Sequence, residues 1–287
     1  PSPTEAATRL TELARTSPGL KIDNGVAVDI RLRGTSTVSA TGVSLRTNIY
    51  MDGVLAEQPR AVMDAQYDIQ SFEILKGPQG TLYGKSSPTG TINIRTQNPN
   101  LGAIDGYVSG SLGTDNLVNT QFGISLPIIE NELAIRIAGV YDQNQTGQHD
   151  VTTGADATNR NSGVRITALW QPNDDLSVRA SYNYLESKSN PWYTIVGVQN
   201  GRRYDFDDDK ITANNPDRNS YLDQFAILEV NYALNDNLSI TSVTGYEDQD
   251  YTNFQDRDGT ASLVGPGYLN SIVGGDTQKT YIPLRPQ

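Results

Sequence analysis

From residue 103 onward, apolar and polar side chains alternate along the chain with a period of two. This pattern is typical of β-strands that have one apolar face. Seven stretches share it, most of them about ten residues long, with Tyr or Trp near many of their ends. They lie at 104–112, 122–126, 133–141, 164–170, 176–184, 226–234 and 238–246.

The connections between these stretches alternate between short and long. The short ones, at 127–131, 172–175 and 235–237, are tight turns, whereas 142–160, 188–221 and 250–270 are long, polar loops. A soluble β-sandwich would share the alternation, but usually with shorter strands and no regular rhythm of connections. Long strands, terminal aromatics and this rhythm favour an outer-membrane β-barrel, with turns on one side and loops on the other.

The first hundred residues follow a different pattern. A capping box at Ser2–Glu5 predicts a helix that ends at 17–19, and short strands are predicted at 26–32, 47–51, 71–75 and 91–96. We therefore expect a small α+β domain. A barrel of about eight strands is filled by its own side chains, whereas a 22-stranded barrel can hold a plug. Either this domain lies outside a small barrel, or the chain is the first part of a large one. Residues 281–287 do not resemble a closing strand, which favours the second.

Composition narrows the function classes. The net charge of −11 disfavours nucleic acid as a partner, which requires a basic surface. The chain has no cysteine, and its single histidine, His149, lies in a polar loop, so no catalytic site is indicated. The acidic run 205–209 lacks the layout of a calcium loop, and we predict neither a metal site nor a cofactor. The opening Pro1-Ser2-Pro3 predicts a processed or truncated N-terminus.

The Gly84-Lys85-Ser86 run resembles part of a phosphate-binding loop. That motif needs a glycine five positions before its second glycine, where this chain has Gln79, and a helix must follow. The residues that follow, Thr91 to Thr96, instead predict a strand. We therefore predict no nucleotide binding here.

A series of linked motifs in the first hundred residues resembles the TonB-dependent outer-membrane receptors in order and spacing. One departure is Thr89-Gly90, where the family usually has Gly-Gly. The matching segments are Leu32-Arg33-Gly34, Tyr50-Met51-Asp52-Gly53, Phe72-Glu73-Ile74-Leu75-Lys76-Gly77-Pro78, Leu82-Tyr83-Gly84, Gly90-Thr91-Ile92-Asn93-Ile94 and Thr96-Gln97-Asn98-Pro99.

The resemblance implies a membrane β-barrel of the 22-stranded type, of which about the first seven or eight strands are present. Residues 1–100 would form an α+β plug domain in its lumen, and 101–287 the N-terminal part of the barrel. The implied function is active import of a scarce nutrient across the outer membrane of a Gram-negative bacterium. The best match is a ferric siderophore, with cobalamin, haem or an oligosaccharide as alternatives. A passive channel or an adhesin is the alternative from another class.

The resemblance also implies partners and site residues. The partners would be outer-membrane lipid and the TonB–ExbB–ExbD energising complex of the inner membrane. The plug's structural motif would comprise Arg33, Gly34, Asp52, Gly53, Glu73, Lys76, Gly77, Pro78, Tyr83, Gly84, Gly90 and Asn93. The glycines would permit tight turns, and Arg33, Glu73, Lys76 and Arg95 would form ion pairs within the plug or to the barrel. By position, the ligand residues would be Arg46, Arg60, Tyr67, Trp192, Tyr193 and Tyr204. Trp192 could equally anchor a strand end at the membrane interface.

Overall fold

The fold is described from a computed structural model of the chain. The structure describes residues 14, 17–24, 28–32, 35–36, 47–56, 66–77, 89–150, 154, 156–190, 198–199, 202–203, 210–211, 218–235, 237–256, 270–281 and 284–286. Apart from Ala14, the predicted N-terminal helix lies outside these residues. None of the described residues belongs to a helix long and apolar enough to cross a membrane.

The N-terminal domain is built from two small sheets. Strands β1 (Leu20–Asn24), β2 (Val28–Leu32) and β3 (Thr35–Ser36) form an antiparallel sheet in that order. A second sheet has the order β5-β4-β7-β6, from β4 (Thr47–Met51), β5 (Val54–Ala56), β6 (Ile69–Lys76) and β7 (Gly90–Thr96). In it β4 and β7 run parallel. The four predicted strands correspond to β2, β4, β6 and β7, and positions 26 and 27 of the first lie outside the described residues. The sequence pattern does not predict β1, β3 or β5.

The two small sheets enclose an apolar core. Ile30, Leu32, Ile49 and Ile92 are all fully buried in it, because the apolar positions of β2, β4 and β7 meet there. At the Asp52–Gly53 hairpin turn both residues have positive φ, 48° and 84°, as a two-residue turn between antiparallel strands requires. The predicted Asp-Gly turn is therefore confirmed.

Gly90 begins β7 with a φ of 145°, which L side chains rarely adopt. A Cβ at this position would overlap the backbone oxygen of Leu75 and the side chain of Leu32. Glycine is thus required at this position for two reasons: other residues rarely adopt this φ, and there is no room for a Cβ. The sequence motif predicts this glycine to permit a tight turn.

Most of the described residues after the N-terminal domain form one large sheet, and β13 and β14 pair in a separate one. Eight antiparallel strands each pair with the next in the order β8-β9-β10-β11-β12-β16-β17-β18. Their bounds are β8 (Asp105–Leu112), β9 (Val118–Ile129), β10 (Leu133–Asp150), β11 (Asp156–Asn173), β12 (Leu176–Ser189), β16 (Arg218–Asn235), β17 (Leu238–Asp256) and β18 (Asn270–Tyr281). The short strands β13 (Val198–Gln199), β14 (Arg202–Arg203), β15 (Lys210–Ile211) and β19 (Leu284–Pro286) complete the set.

The strands extend further into the predicted loops than their apolar pattern indicates. The prediction of one long loop at 142–160 is wrong, because β10 continues to Asp150 and β11 begins at Asp156. The backbone ladder persists there, with Asp142 opposite Asn161 and Asn144 opposite Asn159. Both faces carry polar side chains in this part, so the alternation that reveals a half-apolar strand is missing although the pairing continues.

The large sheet has one apolar and one polar face. Large side chains such as Ile166, Tyr182 and Leu228 are exposed on the outer face, at 46%, 43% and 44%. The alternate positions point inward, and many, including Arg165 and Asn183, are buried against the N-terminal domain. This inside–outside alternation is that of a membrane barrel wall wrapped around a plug.

Candidate functional site: the contact between the N-terminal domain and the inner wall

Three inward arginines on consecutive strands hold the N-terminal domain. Arg136 lies on β10, Arg165 on β11 and Arg179 on β12, and all three are at most 4% exposed. Each stands between residues that point outward, so the strand period directs its guanidinium into the interior. We call the contacts of these arginines, together with those of Arg95 and Glu229, the ionic seam.

The strongest contact of the seam joins Arg136 to Asp68, which immediately precedes β6. Arg136 Nε and Nη2 donate to the two carboxylate oxygens of Asp68 at 2.8 and 2.6 Å. A third donor, Nη1, reaches Ser125 Oγ at 2.8 Å, and Asp105 Oδ1 lies 3.6 Å away. The side chains of Arg136 and Asp68 are only 5% and 3% exposed. A bidentate pair fixes the relative orientation of the two side chains. Removing either partner would leave the other as an unpaired buried charge, which is strongly destabilising.

Arg165 contacts the same segment through a backbone oxygen and an aromatic ring. Its Nη1 donates to the backbone oxygen of Tyr67 at 2.9 Å, and its guanidinium carbon lies 4.5 Å from the centre of the Tyr67 ring. Asn183 on β12 accepts from Arg165 Nε. Burial raises the pKa of Tyr67, and the neighbouring Arg165 offsets part of that rise. The phenol is therefore neutral at physiological pH.

Four charges of alternating sign form the third part of the seam. Asp52 and Arg95 come from the N-terminal domain, while Arg179 and Glu229 stand opposite each other on β12 and β16. Arg95 Nη2 is 2.7 Å from Glu229 Oε2, and Arg179 Nη1 is 3.1 Å from Asp52 Oδ2. Neither Glu229 Oε2 nor Arg179 Nη1 has a partner with hydrogen-bond geometry, so these two contacts are ion pairs without aligned hydrogen bonds.

Hydrogen bonds fix the orientation of this charge group. Asp52 accepts from the Thr96 backbone N–H at 2.9 Å and from its hydroxyl at 2.7 Å. Arg179 donates through Nη2 to Thr96 Oγ1 at 2.6 Å and through Nε to Asn98 Oδ1 at 2.9 Å. The ion pair between Arg95 and Glu229 agrees with the prediction that Arg95 pairs within the plug or with the barrel. Asp52 is more than a turn residue, because it links the hairpin, β7 and the wall.

The charged groups of the ionic seam pair with one another across the contact between the N-terminal domain and the wall. The seam therefore holds the N-terminal domain in place. Buried charges are stable only while they are paired, so breaking the contacts one at a time would leave unpaired charges in a site from which water is excluded. Within the described part of the chain, no group of three or more His, Cys, Asp or Glu could hold a metal ion.

The predicted ligand residues lie mostly outside the described residues, namely Arg46, Arg60, Trp192, Tyr193 and Tyr204. Tyr67 is described and is 1% exposed beneath Arg165. A ligand could reach its ring only after the N-terminal domain moves, and its ligand role stays a prediction.

Several residues of the predicted plug motif also lie outside the described residues: Arg33, Gly34, Pro78, Tyr83 and Gly84. Gly77 has the positive φ expected of it, at 108°. Lys76 donates to the backbone oxygen of Pro18 at 2.8 Å rather than to a wall residue, and Glu73 is exposed. Asn93 is half-buried in β7, where it stands opposite Tyr50 and Glu73.

Sequence reasoning missed Asp68, Glu229 and all three wall arginines. A signal was present, since each arginine interrupts a strand at a position that the period assigns to the inner face. Arg136 between Ile135 and Ile137 is an example. A charge inside a lipid-facing strand pattern marks a functional or structural contact. Its partner could not be read from the sequence.

Comparisons with known proteins agree with this architecture. A sequence model of the family described as TonB-dependent Receptor Plug Domain matches residues 3–91. The pesticin receptor of Yersinia enterocolitica is 38% identical over 120 residues, which cover 41% of this chain and 17% of that protein. The ferrichrome outer membrane transporter/phage receptor of Escherichia coli K12 is 28% identical over 187 residues, covering 61% and 22%.

Solved structures extend the likeness to most of the chain. The ferric yersiniabactin uptake receptor FyuA from Yersinia pestis aligns with a TM-score of 0.72 and 25% identity, covering 85% of this chain and 38% of that one. The ferric-catecholate import receptor Fiu from E. coli K12 aligns with a TM-score of 0.65 and 21% identity, covering 96% and 41%, which supports the fold alone. The chain thus spans about two fifths of the length of these solved receptors.

Proposed function

We propose that this chain, which belongs to the TonB-dependent receptors, is the N-terminal part of an outer-membrane importer of a ferric siderophore. In this proposal residues 1–100 are the plug and 101–287 the first part of the barrel. The relatives are named as receptors and a transporter, so we assign transport rather than catalysis to the chain. Cobalamin, haem and oligosaccharide are alternative cargoes.

The ionic seam is the observation that carries this proposal. A plug held by buried ion pairs on β10 and β12, and by a partly exposed pair on β16, occupies the inside of the wall and obstructs passage. Separating these pairs costs several kcal/mol for each charge left unpaired, which thermal motion rarely supplies. An external energy source must therefore move the plug, and the TonB–ExbB–ExbD complex is the proposed source.

Uptake by the full-length receptor tests the proposal. The gene would be expressed in a Gram-negative strain without its own siderophore receptors, and cell-associated labelled iron would be measured with ferric siderophores. We expect uptake that stops when the energising complex is deleted or the proton gradient is collapsed. Uptake that continues unchanged without the complex would replace the active importer by a gated passive pore. If cells take up only a corrin, haem or a glycan, the chain would remain part of an importer, but the assigned cargo would be that compound.

A further inference from the structure

A row of inward-facing residues lies further along the strands than the ionic seam, towards the long loops. The strand register places its members side by side on β9, β10, β11, β12, β16 and β17. In that order they are Asn119, Asp142, Asn161, Ser187, Tyr221 and Tyr251. We call these six residues the amide belt. The next row towards the loops continues the same chemistry with Asn144, Asn159, Ser189 and Asn219.

The belt and the row beyond it contain neither lysine nor arginine among their described members. At this height the cations Arg160 and Lys188 occupy positions of the opposite parity and face outward. Both are exposed: Arg160 donates to Gln143 Oε1 at 3.1 Å, and Lys188 pairs with Glu186 at 2.6 Å. The inward arginine nearest the belt is Arg165, which already holds Tyr67 of the plug. The arginines of the wall that bind the plug thus lie apart from the belt. The one charged side chain among the six belt residues is the carboxylate of Asp142.

The belt is ordered by contacts between its own members. Asn119 Nδ2 donates to Asp142 Oδ1 at 3.0 Å. The rings of Tyr221 and Tyr251 stack with centroids 6.0 Å apart and an angle of 15° between their planes. Both rings, together with Asn119, Asp142 and Asn161, are half-buried on paired strands. Amides, a hydroxyl and aromatic faces on a rigid scaffold are suited to a polar ligand without a large negative charge.

We propose that the amide belt binds an uncharged or cationic iron chelate through hydrogen bonds and stacking, and disfavours polyanionic chelates. This inference rests on the proposed import of a ferric siderophore and specifies its chemical class. A ferric tris-hydroxamate is uncharged, and its carbonyl and N–O oxygens accept hydrogen bonds of the kind that asparagine amides donate. A ferric tris-catecholate is a polyanion. It would lose water without gaining a cation from the belt, and Asp142 would repel it.

Binding to the purified full-length receptor tests the charge preference directly. Both chelates would be titrated calorimetrically at low and moderate salt. We expect the tris-hydroxamate to bind at least about tenfold more tightly, with the margin narrowing as salt screens the repulsion. Equal or tighter binding of the tris-catecholate would overturn the inference.

A charge introduced into the belt should shift the preference. In Asn161→Lys an inward cation replaces a central amide, and we expect the affinity ratio to move towards the tris-catecholate by about tenfold. Ser162→Lys is the matched control, since the neighbouring residue faces outward opposite Glu186, and the ratio should stay unchanged. If the two variants behave alike, the belt does not contact the ligand and the inference is wrong.

Parallel uptake assays separate this inference from the proposed function. Energy-dependent import of the tris-catecholate in preference to the tris-hydroxamate would keep the importer and discard the belt as its selective surface. If neither chelate binds, the belt inference is wrong, whereas the proposed importer fails only if no ferric siderophore enters in an energy-dependent way.

Discussion

Asp68→Asn should loosen the plug from the barrel wall while leaving the wall itself intact. The change keeps the shape of the side chain but removes the charge that faces Arg136, whose side chain is only 5% exposed. Breaking a buried pair from one side costs about 3–5 kcal/mol. Some of this is recovered here, because the substituted amide retains an acceptor oxygen, Ser125 still binds Nη1, and Asp105 lies 3.6 Å away. We therefore expect a loss of about 2–3 kcal/mol, or roughly a 30- to 150-fold larger opening equilibrium.

Hydrogen exchange on the purified full-length receptor measures this equilibrium segment by segment. We expect the amides of β6 and β7 to exchange faster by about that factor, while those of β11 and β12 keep their wild-type rates. Asp105→Asn is the matched control: it removes the longer contact of the same arginine at a carboxylate that is 47% exposed, so its effect should stay below about 1 kcal/mol.

A double-mutant cycle identifies the source of the change. In an Arg136→Met background the mutation of Asp68 should cost much less, because the unpaired buried cation is gone. Wild-type exchange in Asp68→Asn would refute the reasoning. So would equal acceleration of plug and wall amides, since the pair would then stabilise the barrel rather than the contact.

Three further predictions concern the plug and its contacts. Gly90→Ala should prevent correct assembly of β7 against Leu75, with reduced yield of heat-resistant receptor in membranes, whereas Gly102→Ala, where a Cβ would make only ordinary contacts, should assemble normally. Glu229→Gln should increase exchange in β7 by less than Asp68→Asn does, because Arg95 is 34% exposed and water can solvate it; a larger effect would contradict this ranking. Burial raises the pKa of Tyr67 above 10.0 in the folded protein. The stability that the neutral phenol contributes is therefore fully present below pH 10 and is lost as the pH rises through the pKa of the folded state. Tyr67→Phe should reduce the fall of the plug's melting temperature in that alkaline range, and an unchanged fall would assign the effect to other groups.

The pattern of side chains along the chain determined the strands of the wall and their two faces. A period of two with exposed apolar residues is a local property that survives without knowledge of the partner strands. The same holds for the Asp52–Gly53 turn, whose conformation is dictated by the residues that form it. The apolar pattern understated the strands where both faces are polar, as at 142–150, because backbone pairing there does not depend on a half-apolar surface.

The tertiary structure decided which charges meet. Arg136 and Asp68 are separated by 68 positions, and Arg95 and Glu229 by 134, so no local pattern relates them. Strand register and the docking of the plug bring them together, and desolvation then makes their pairing necessary. The amide belt has the same origin. Its six residues are scattered over 133 positions, and only the register of six antiparallel strands makes them one surface. The sequence by itself therefore specified each residue's face, while the packed sheet specified its neighbours.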